Sequence, residues 1–318
     1  MGLSWGGRTG VSRRTVLVLV LGGLLTASAA CAAAPRAIPV DPPTSTPPVA
    51  TPAVTPSSPA AATTARLPKP DHIVIVIFEN KDVEEVLGID QAPFLDELAQ
   101  TGVNFTNAHA EAHPSQPNYL ALFSGSTQGA TDNSCLPPLS APNLATQLAA
   151  VGRTFVGYSE DLPEAGFTGC TSGRYAQKHA VWGAFTNVPS GSHQPWTAWP
   201  SAYDQLPTVA VVVPNLCNDM HDCDVATGDR WLREHLSDYR TWARSHNSLL
   251  LVTFDESASH GGGNRIVTLL DGAGIRPRRV DEAVDHYRLL ATIEAMYGLP
   301  ALGHAADTTP ITDIWTGG

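Results

Sequence analysis

His72-Ile73-Val74-Ile75-Val76-Ile77-Phe78, followed at once by Glu79-Asn80, decides how this chain folds. The run is apolar without alternation and rich in β-branched residues, the pattern of a strand buried on both faces in a parallel sheet. Val209-Ala210-Val211-Val212-Val213 and Leu249-Leu250-Leu251-Val252-Thr253-Phe254 repeat it, the first ending at Pro214-Asn215 and the second at Asp255-Glu256. A fourth run, Ile266-Val267-Thr268-Leu269-Leu270, follows a glycine turn. Between the runs lie helical patterns at Pro93–Gln100, Asn118–Phe123, Asn143–Val151, Trp231–His246 and His286–Tyr297. Strands alternating with helices predict an α/β domain with a doubly wound, mostly parallel sheet and helices on both faces. In such a sheet, ligands collect beyond the carboxyl ends of the strands.

Polar residues gather where these runs end. Glu79 and Asn80 follow the first, Asp219 and His221 the second, Asp255 and Glu256 the third, and His286 opens the last helix. A single carboxylate at a strand end is an ordinary cap. Several oxygen and imidazole donors at one edge suit a divalent cation such as Zn, Mn, Fe or Ca. Ser115 sits between Pro114 and Pro117, just ahead of an apolar helix. A plain N-cap would look the same, but a serine there can also be a nucleophile that a nearby cation activates. Lys178-His179 offers a compact positive charge for a phosphate. His260, before Gly261-Gly262-Gly263, is a further proton-donor candidate, whereas His72 and His304 read as structural.

Taken in order, Glu79-Asn80, His113 to Tyr119, Ser124 to Gly129, Pro214 to Asp222, Thr253 to Glu256 and Asp285 to Tyr287 resemble the bacterial phosphoesterase family of acid phosphatases and phospholipases C, in its shorter secreted acid-phosphatase branch. The resemblance spans roughly residues 70–315. It implies an alkaline-phosphatase-like fold, one or two bound divalent metal ions and a covalent phosphoserine. It gives Glu79, Asn80, Asp255 and Glu256 to one metal position, with Glu256 departing from the Asp-His pair common in the wider superfamily. Asp219, His221 and His286 resemble the ligands of a second position. Ser115-Gln116-Pro117-Asn118 matches the nucleophile pattern, and Asn80, Asn133 and Lys178 would hold the phosphoryl oxygens. His221 or His179 would protonate the leaving alcohol, and an acidic optimum would follow. The expected substrate is a small phosphomonoester or a phospholipid head group. A phospholipase C acting on a diester is the alternative, and the chain's stop at Gly318 counts against it, since such members are usually longer. A non-catalytic envelope binding lipoprotein would need the acids but no activated serine.

Outside this core, composition changes. Residues 1–70 carry six basic residues and one acid, which leaves 13 basic and 29 acidic residues over 71–318. So acidic a body repels phosphate backbones, and no nucleic-acid partner is expected. Arg8, Arg13 and Arg14 precede an apolar run from Val16 to Ala30, so residues 1–31 read as an export signal, twin-arginine or plain secretory. Ala29-Ala30-Cys31 resembles a lipoprotein site, making Cys31 a candidate membrane tether, with Ser28 a departure from the pattern. Residues 32–69, nearly all Ala, Pro, Thr, Ser and Val, read as a disordered linker. The catalytic domain is then 70–318, in an exported, extracytoplasmic protein. Cys135, Cys170, Cys217 and Cys223 suggest disulfides in that setting. Three pairings are open to four cysteines. The short spacing favours Cys217–Cys223, leaving Cys135–Cys170.

Overall fold

A computed structural model describes residues 67–316. The signal segment, Cys31 and the linker up to residue 66 lie outside the described residues. The strands are β1 (His72–Phe78), β2 (Val103–Phe105), β3 (Phe155–Ser159), β4 (Thr171–Ser172), β5 (Tyr175–Ala176), β6 (His193–Pro195), β7 (Val209–Val213), β8 (Ser248–Phe254), β9 (Thr268–Gly272) and β10 (Arg278–Val280). The helices are α1 (Val83–Val86), α2 (Pro93–Thr101), α3 (Gln116–Ser124), α4 (Leu144–Ala150), α5 (Val225–Ala243) and α6 (His286–Tyr297).

Eight strands form one sheet in the order β10-β2-β9-β8-β1-β7-β3-β6, while β4 and β5 make a separate hairpin. The three runs that predicted a parallel sheet lie side by side at its centre, with β1 pairing in parallel with β7 and β8. Among the described strands of this sheet, β9 alone runs against the rest, antiparallel to both β8 and β2. The fourth apolar run is therefore a strand, but shifted two residues onward and reversed in direction. A glycine turn joins neighbouring strands most simply as an antiparallel pair, which apolarity alone does not reveal.

Alternate side chains of the central strands face opposite layers. Ile75 and Ile77 meet Tyr119, Leu122 and Phe123 of α3. On the same face, Ile73, Leu249 and Leu251 meet Leu289, Ile293 and Met296 of α6. The helices form two groups, α3 against α6 and α2 against α5. Each fully buried aliphatic side chain in this core contributes on the order of 1.5–3 kcal/mol. The long helix α5 begins six residues before the apolar pattern suggested, because Asp224 caps it by accepting the Thr227 N–H at 2.9 Å.

The register decides where the chemistry falls. Phe78 and Phe254 are paired at the ends of β1 and β8. Glu79 and Asp255 must then emerge beside one another. Asp255 N–H donates to the Phe78 carbonyl at 2.9 Å, and Glu79 N–H donates to the Asp219 carbonyl at 2.9 Å, drawing the segment after β7 to the same edge.

Candidate active site

Three carboxylates converge at this edge. Oxygens of Glu79, Asp255 and Glu256 lie within 4.8 Å of one another, and all three residues are buried. Asn80 contributes its backbone: it takes φ +50°, a left-handed conformation asparagine tolerates, and its N–H meets Asp255 Oδ1 at 2.9 Å. Asp255 Oδ2 has no hydrogen-bond partner although it is buried. Burial and the neighbouring charges of Glu79 and Glu256 push the Asp255 carboxyl well above the usual range. A buried acid with a free oxygen, facing two more acids, is the arrangement a divalent cation relieves. The residues present therefore fit a metal ion held by Glu79, Asp255 and Glu256.

Ser115 meets this cluster directly. Its Oγ lies 3.0 Å from Glu79 Oε2 and 3.0 Å from Glu256 Oε1. Although it immediately precedes α3, it has helical dihedrals (φ −48°, ψ −55°) and makes no side-chain cap bond. The first amide of the helix, Gln116 N–H, is instead taken by Asn133 Oδ1 at 2.9 Å. The hydroxyl is thus directed at the carboxylates. Asn133 is fixed beside Ser115 by its oxygen, which leaves the NH₂ end of its amide for a ligand.

His179 is sealed inside the cluster. Nε2 is 2.9 Å from Glu79 Oε1, a contact too poorly angled for a hydrogen bond, and Nδ1 is 3.1 Å from Asp219 Oδ2. Its ring stacks on Tyr119 with centroids 5.3 Å apart. Burial works against its charge, but Glu79 and Asp219 outweigh that and push it up to about 9. Glu79 is the other side of the same pairing. Burial raises it, yet His179, the Tyr119 hydroxyl at 2.5 Å and Lys178 together hold it down at about 2. Lys178 Nζ donates to His221 Nε2 at 3.1 Å, and His221 Nδ1 faces Asp222 Oδ1 at 2.7 Å.

The second metal position expected from Asp219, His221 and His286 is not brought together. Asp219 spends Oδ1 on the His221 N–H and Oδ2 on His179. Both ring nitrogens of His221 are engaged. His286 lies elsewhere, with Nδ1 2.6 Å from Glu111 Oε2 and Nε2 3.0 Å from the Phe254 carbonyl. It braces the strand end that carries Asp255 and has no nitrogen left for a metal. Among the described residues, Glu79, Asp255 and Glu256 form the single group with ligand atoms this close. His179, for its part, has neither nitrogen open to a leaving group.

Three contributors carried no assigned role in the sequence reading. Tyr119 stands one helical turn beyond Ser115, a spacing that places both on one face. His113 Nδ1 lies 2.5 Å from Glu256 Oε2, and its ring meets His260 edge-on at 4.6 Å. His260 therefore packs over the site through His113. Glu111 is the partner of His286. The loop after β7 is shaped by Asn215, whose Oδ1 accepts the Cys217 and Asn218 N–H groups. Met220 there holds φ +77°, a costly conformation for such a side chain. It packs on Gly228, where any Cβ would come within 2.4 Å of the Met220 methyl. Two disulfides, Cys217–Cys223 and Cys135–Cys170, fasten the loops that border the site.

Comparison with known proteins bears on this geometry. The Phosphoesterase family matches residues 87–300, a span that includes Ser115, Asp255, Glu256 and His286. The chain belongs to the phosphoesterase family. This phosphoesterase is 47% identical over 254 residues to a phosphatidylinositol-3-phosphatase of Mycobacterium tuberculosis, covering 78% of this chain and 84% of that protein. It is 31% identical over 252 residues to a phosphate-repressible acid phosphatase of Penicillium chrysogenum, covering 73% of this chain but 60% of the fungal protein. Its fold matches a protein in the alkaline phosphatase superfamily from Vibrio parahaemolyticus, with a TM-score of 0.53 at 16% identity, covering 78% of this chain and 72% of that one. At that identity the likeness is one of fold: a mostly parallel central sheet flanked by helices, in the alkaline-phosphatase manner.

Proposed function

We propose that this phosphoesterase is an exported, metal-dependent acid phosphatase that hydrolyses phosphate monoesters through a phosphoserine at Ser115. The observation that carries the reading is the buried Ser115 hydroxyl, 3.0 Å from each of two carboxylates of the Glu79–Asp255–Glu256 group. A divalent ion held by those three side chains, with Asn80 beside them, would supply Lewis-acid charge and lower the pKa of the serine hydroxyl.

The chain's own residues then divide the work. Ser115 Oγ gives its proton to Glu256, 3.0 Å away, and forms the bond to phosphorus as the bond to the alcohol breaks. The Asn133 amide and the Lys178 ammonium face the phosphoryl oxygens with donors already in place, where preorganised donors act most strongly. The departing alcohol takes its proton from the Lys178 ammonium, which His221 Nε2 holds at 3.1 Å. His179, sealed between Glu79 and Asp219, keeps Glu79 ionised and oriented. Water next attacks the phosphoserine, restoring Ser115 and releasing inorganic phosphate.

The M. tuberculosis relative is named for a phosphoinositide monoester and the fungal relative for acid phosphatase activity. Both names favour a monoester, with a phospholipid head group within the range of substrates. The disulfides support an extracytoplasmic location. Ser115→Ala is expected to lower phosphate release from p-nitrophenyl phosphate by roughly 10³-fold or more. Turnover near the wild-type rate would remove Ser115 as the nucleophile. Release of phosphocholine from phosphatidylcholine, without release of phosphate from monoesters, would favour the phospholipase C alternative.

A further inference from the structure

Beside the sheet edge at β6 the chain leaves a cleft of about 400 Å³ that the phosphatase chemistry does not use. That volume lies within the range of small-molecule sites, roughly 300–1,000 Å³. The catalytic body is strongly acidic, yet among the described residues no Asp, Glu, Lys or Arg lines this cleft. Leu136, Trp182, Phe185 and Val188 make its apolar surface. Thr168, Ser190 and His193 add uncharged polar groups.

His193 is the informative residue. It is 2% exposed, its Nε2 is 3.5 Å from Ser159 Oγ, and its Nδ1 has no aligned partner. The Phe167 carbonyl nearby favours the protonated ring without an aligned hydrogen bond. Burial pushes the imidazole down to about 4 against that pull, so the ring is neutral in the working range. Gly183 roofs the ring, and a Cβ there would come within 2.8 Å of Nδ1. A buried nitrogen of this kind is satisfied by a ligand or an ordered water.

We infer that this cleft is a binding site for an uncharged, polyhydroxylated ring. A charged ligand would lose its hydration with nothing to pair against. A plain acyl chain would cover Thr168, Ser190 and the His193 nitrogen without satisfying them, at a cost of about 1–3 kcal/mol for each buried group. A polyol ring meets both demands, because its C–H edges pack on Trp182 and Phe185 while its hydroxyls reach the uncharged polar groups.

Two residues of the cleft lining adjoin catalytic-site residues along the chain. Gln177 lines it, and the next two residues are Lys178 and His179. Leu136 lines it three residues after Asn133, and its N–H donates to Gln177 Oε1 at 3.1 Å. The ring can thus be the alcohol of the phosphate ester itself or part of a separate glycan. The binding claim stands apart from the phosphoserine reading, and only the choice between these two sources rests on it.

The test is binding of myo-inositol against cyclohexanol, a ring of the same size with one hydroxyl, by saturation-transfer NMR. Myo-inositol is expected to bind at least about tenfold more tightly, the discrimination expected of a site built to hydrogen-bond hydroxyls. Ser190→Trp, at the exposed rim, fills the cleft and should abolish that binding. His193→Phe removes the unpartnered nitrogen and should weaken binding about tenfold. If His193→Phe does not fold, Ser190→Trp decides. Equal or tighter binding of cyclohexanol, or inositol binding that survives Ser190→Trp, overturns the site. In wild-type turnover of p-nitrophenyl phosphate, competitive inhibition by inositol identifies the ring as the substrate's alcohol, and binding without competition identifies a separate glycan. These binding measurements need no turnover, so a failure of the Ser115 reading would leave them interpretable.

Discussion

Asp271 on β9 and Asp255 just after β8 are both buried aspartates on neighbouring strands, and their surroundings are opposite. Asp271 pairs with Leu250, near the start of β8, so it lies toward the sheet end away from the carboxylate cluster. It accepts Arg240 Nε at 2.6 Å, Arg244 Nε at 2.9 Å and the Gly272 N–H at 2.7 Å. Arg240 also reaches Glu97 at 2.6 Å, and burial of that guanidinium is matched by acids on both sides. Asp255 has one backbone N–H, one unpartnered oxygen and two further acids beside it. One aspartate is neutralised within the chain. The other has no cation within the chain to neutralise it, so burial and its acidic neighbours disfavour its charge until a cation from outside balances it. A completed buried network serves the fold, and an incomplete one marks where the protein expects a ligand.

The largest way to break this contrast is on the completed side. Asp271→Ala leaves buried Arg240 with Glu97 as its one remaining acid and should cost about 3 kcal/mol of stability. Denaturant melts would show it, with phosphate release per folded molecule unchanged. Asp255→Asn is expected to do the reverse. Activity should fall by roughly 10²-fold or more, while the chelator-treated protein gains on the order of 1 kcal/mol, because a neutral amide replaces an uncompensated acid. A loss of stability as large as that of Asp271→Ala would erase the distinction. A saturating divalent cation, at about 100 times its Kd, should stabilise the wild type by about 2.7 kcal/mol. Asp255→Asn should lose most of that gain in thermal melts.

The smallest effects are on pH dependence, from two buried groups outside the carboxylate cluster. Glu294, which accepts the Leu302 N–H at 3.0 Å, is pushed by burial from 4.5 up to about 7. The native state binds the extra proton between those values, so its stability contribution is present below 4.5 and is lost as pH rises through 7. His193 is pushed by burial from 6.5 down to about 4, so its native state binds fewer protons in that window and stability falls as pH drops. The two slopes oppose each other between about 4.5 and 6.5. Glu294→Gln should remove the first slope and His193→Phe the second, measured as Tm across pH 4 to 7.5.

Much of the sheet was legible because its central strands are buried on both faces. β1, β7 and β8 are near-continuous aliphatic runs, and a run of that kind has few other places to go. The short strands β2, β6 and β10 are three residues each, too short to leave a period, and went unread. β3 also went unread, because Phe155-Val156-Gly157-Tyr158-Ser159 is broken by a glycine. That glycine is required where the Trp182 indole would lie 2.1 Å from any Cβ. His221 and His286 looked like ligands in sequence because imidazoles near acids usually do. Their ring nitrogens are spent on Asp222, Lys178, Glu111 and a backbone carbonyl, which no spacing announces.

By itself the sequence determined that apolar strands end in acids, that Ser115 opens an apolar helix, and that the motifs follow family order. Those are local properties, set by side-chain chemistry and by which residues adjoin in the chain. Tertiary structure decided which acids face one another, that Ser115 points at them rather than capping its helix, and that the expected second set of ligands is turned to other partners. The physical reason is direction: a hydrogen-bonding atom serves one site or another according to where the register of β1, β7 and β8 aims it. Register is fixed by packing across the whole sheet rather than by any one segment.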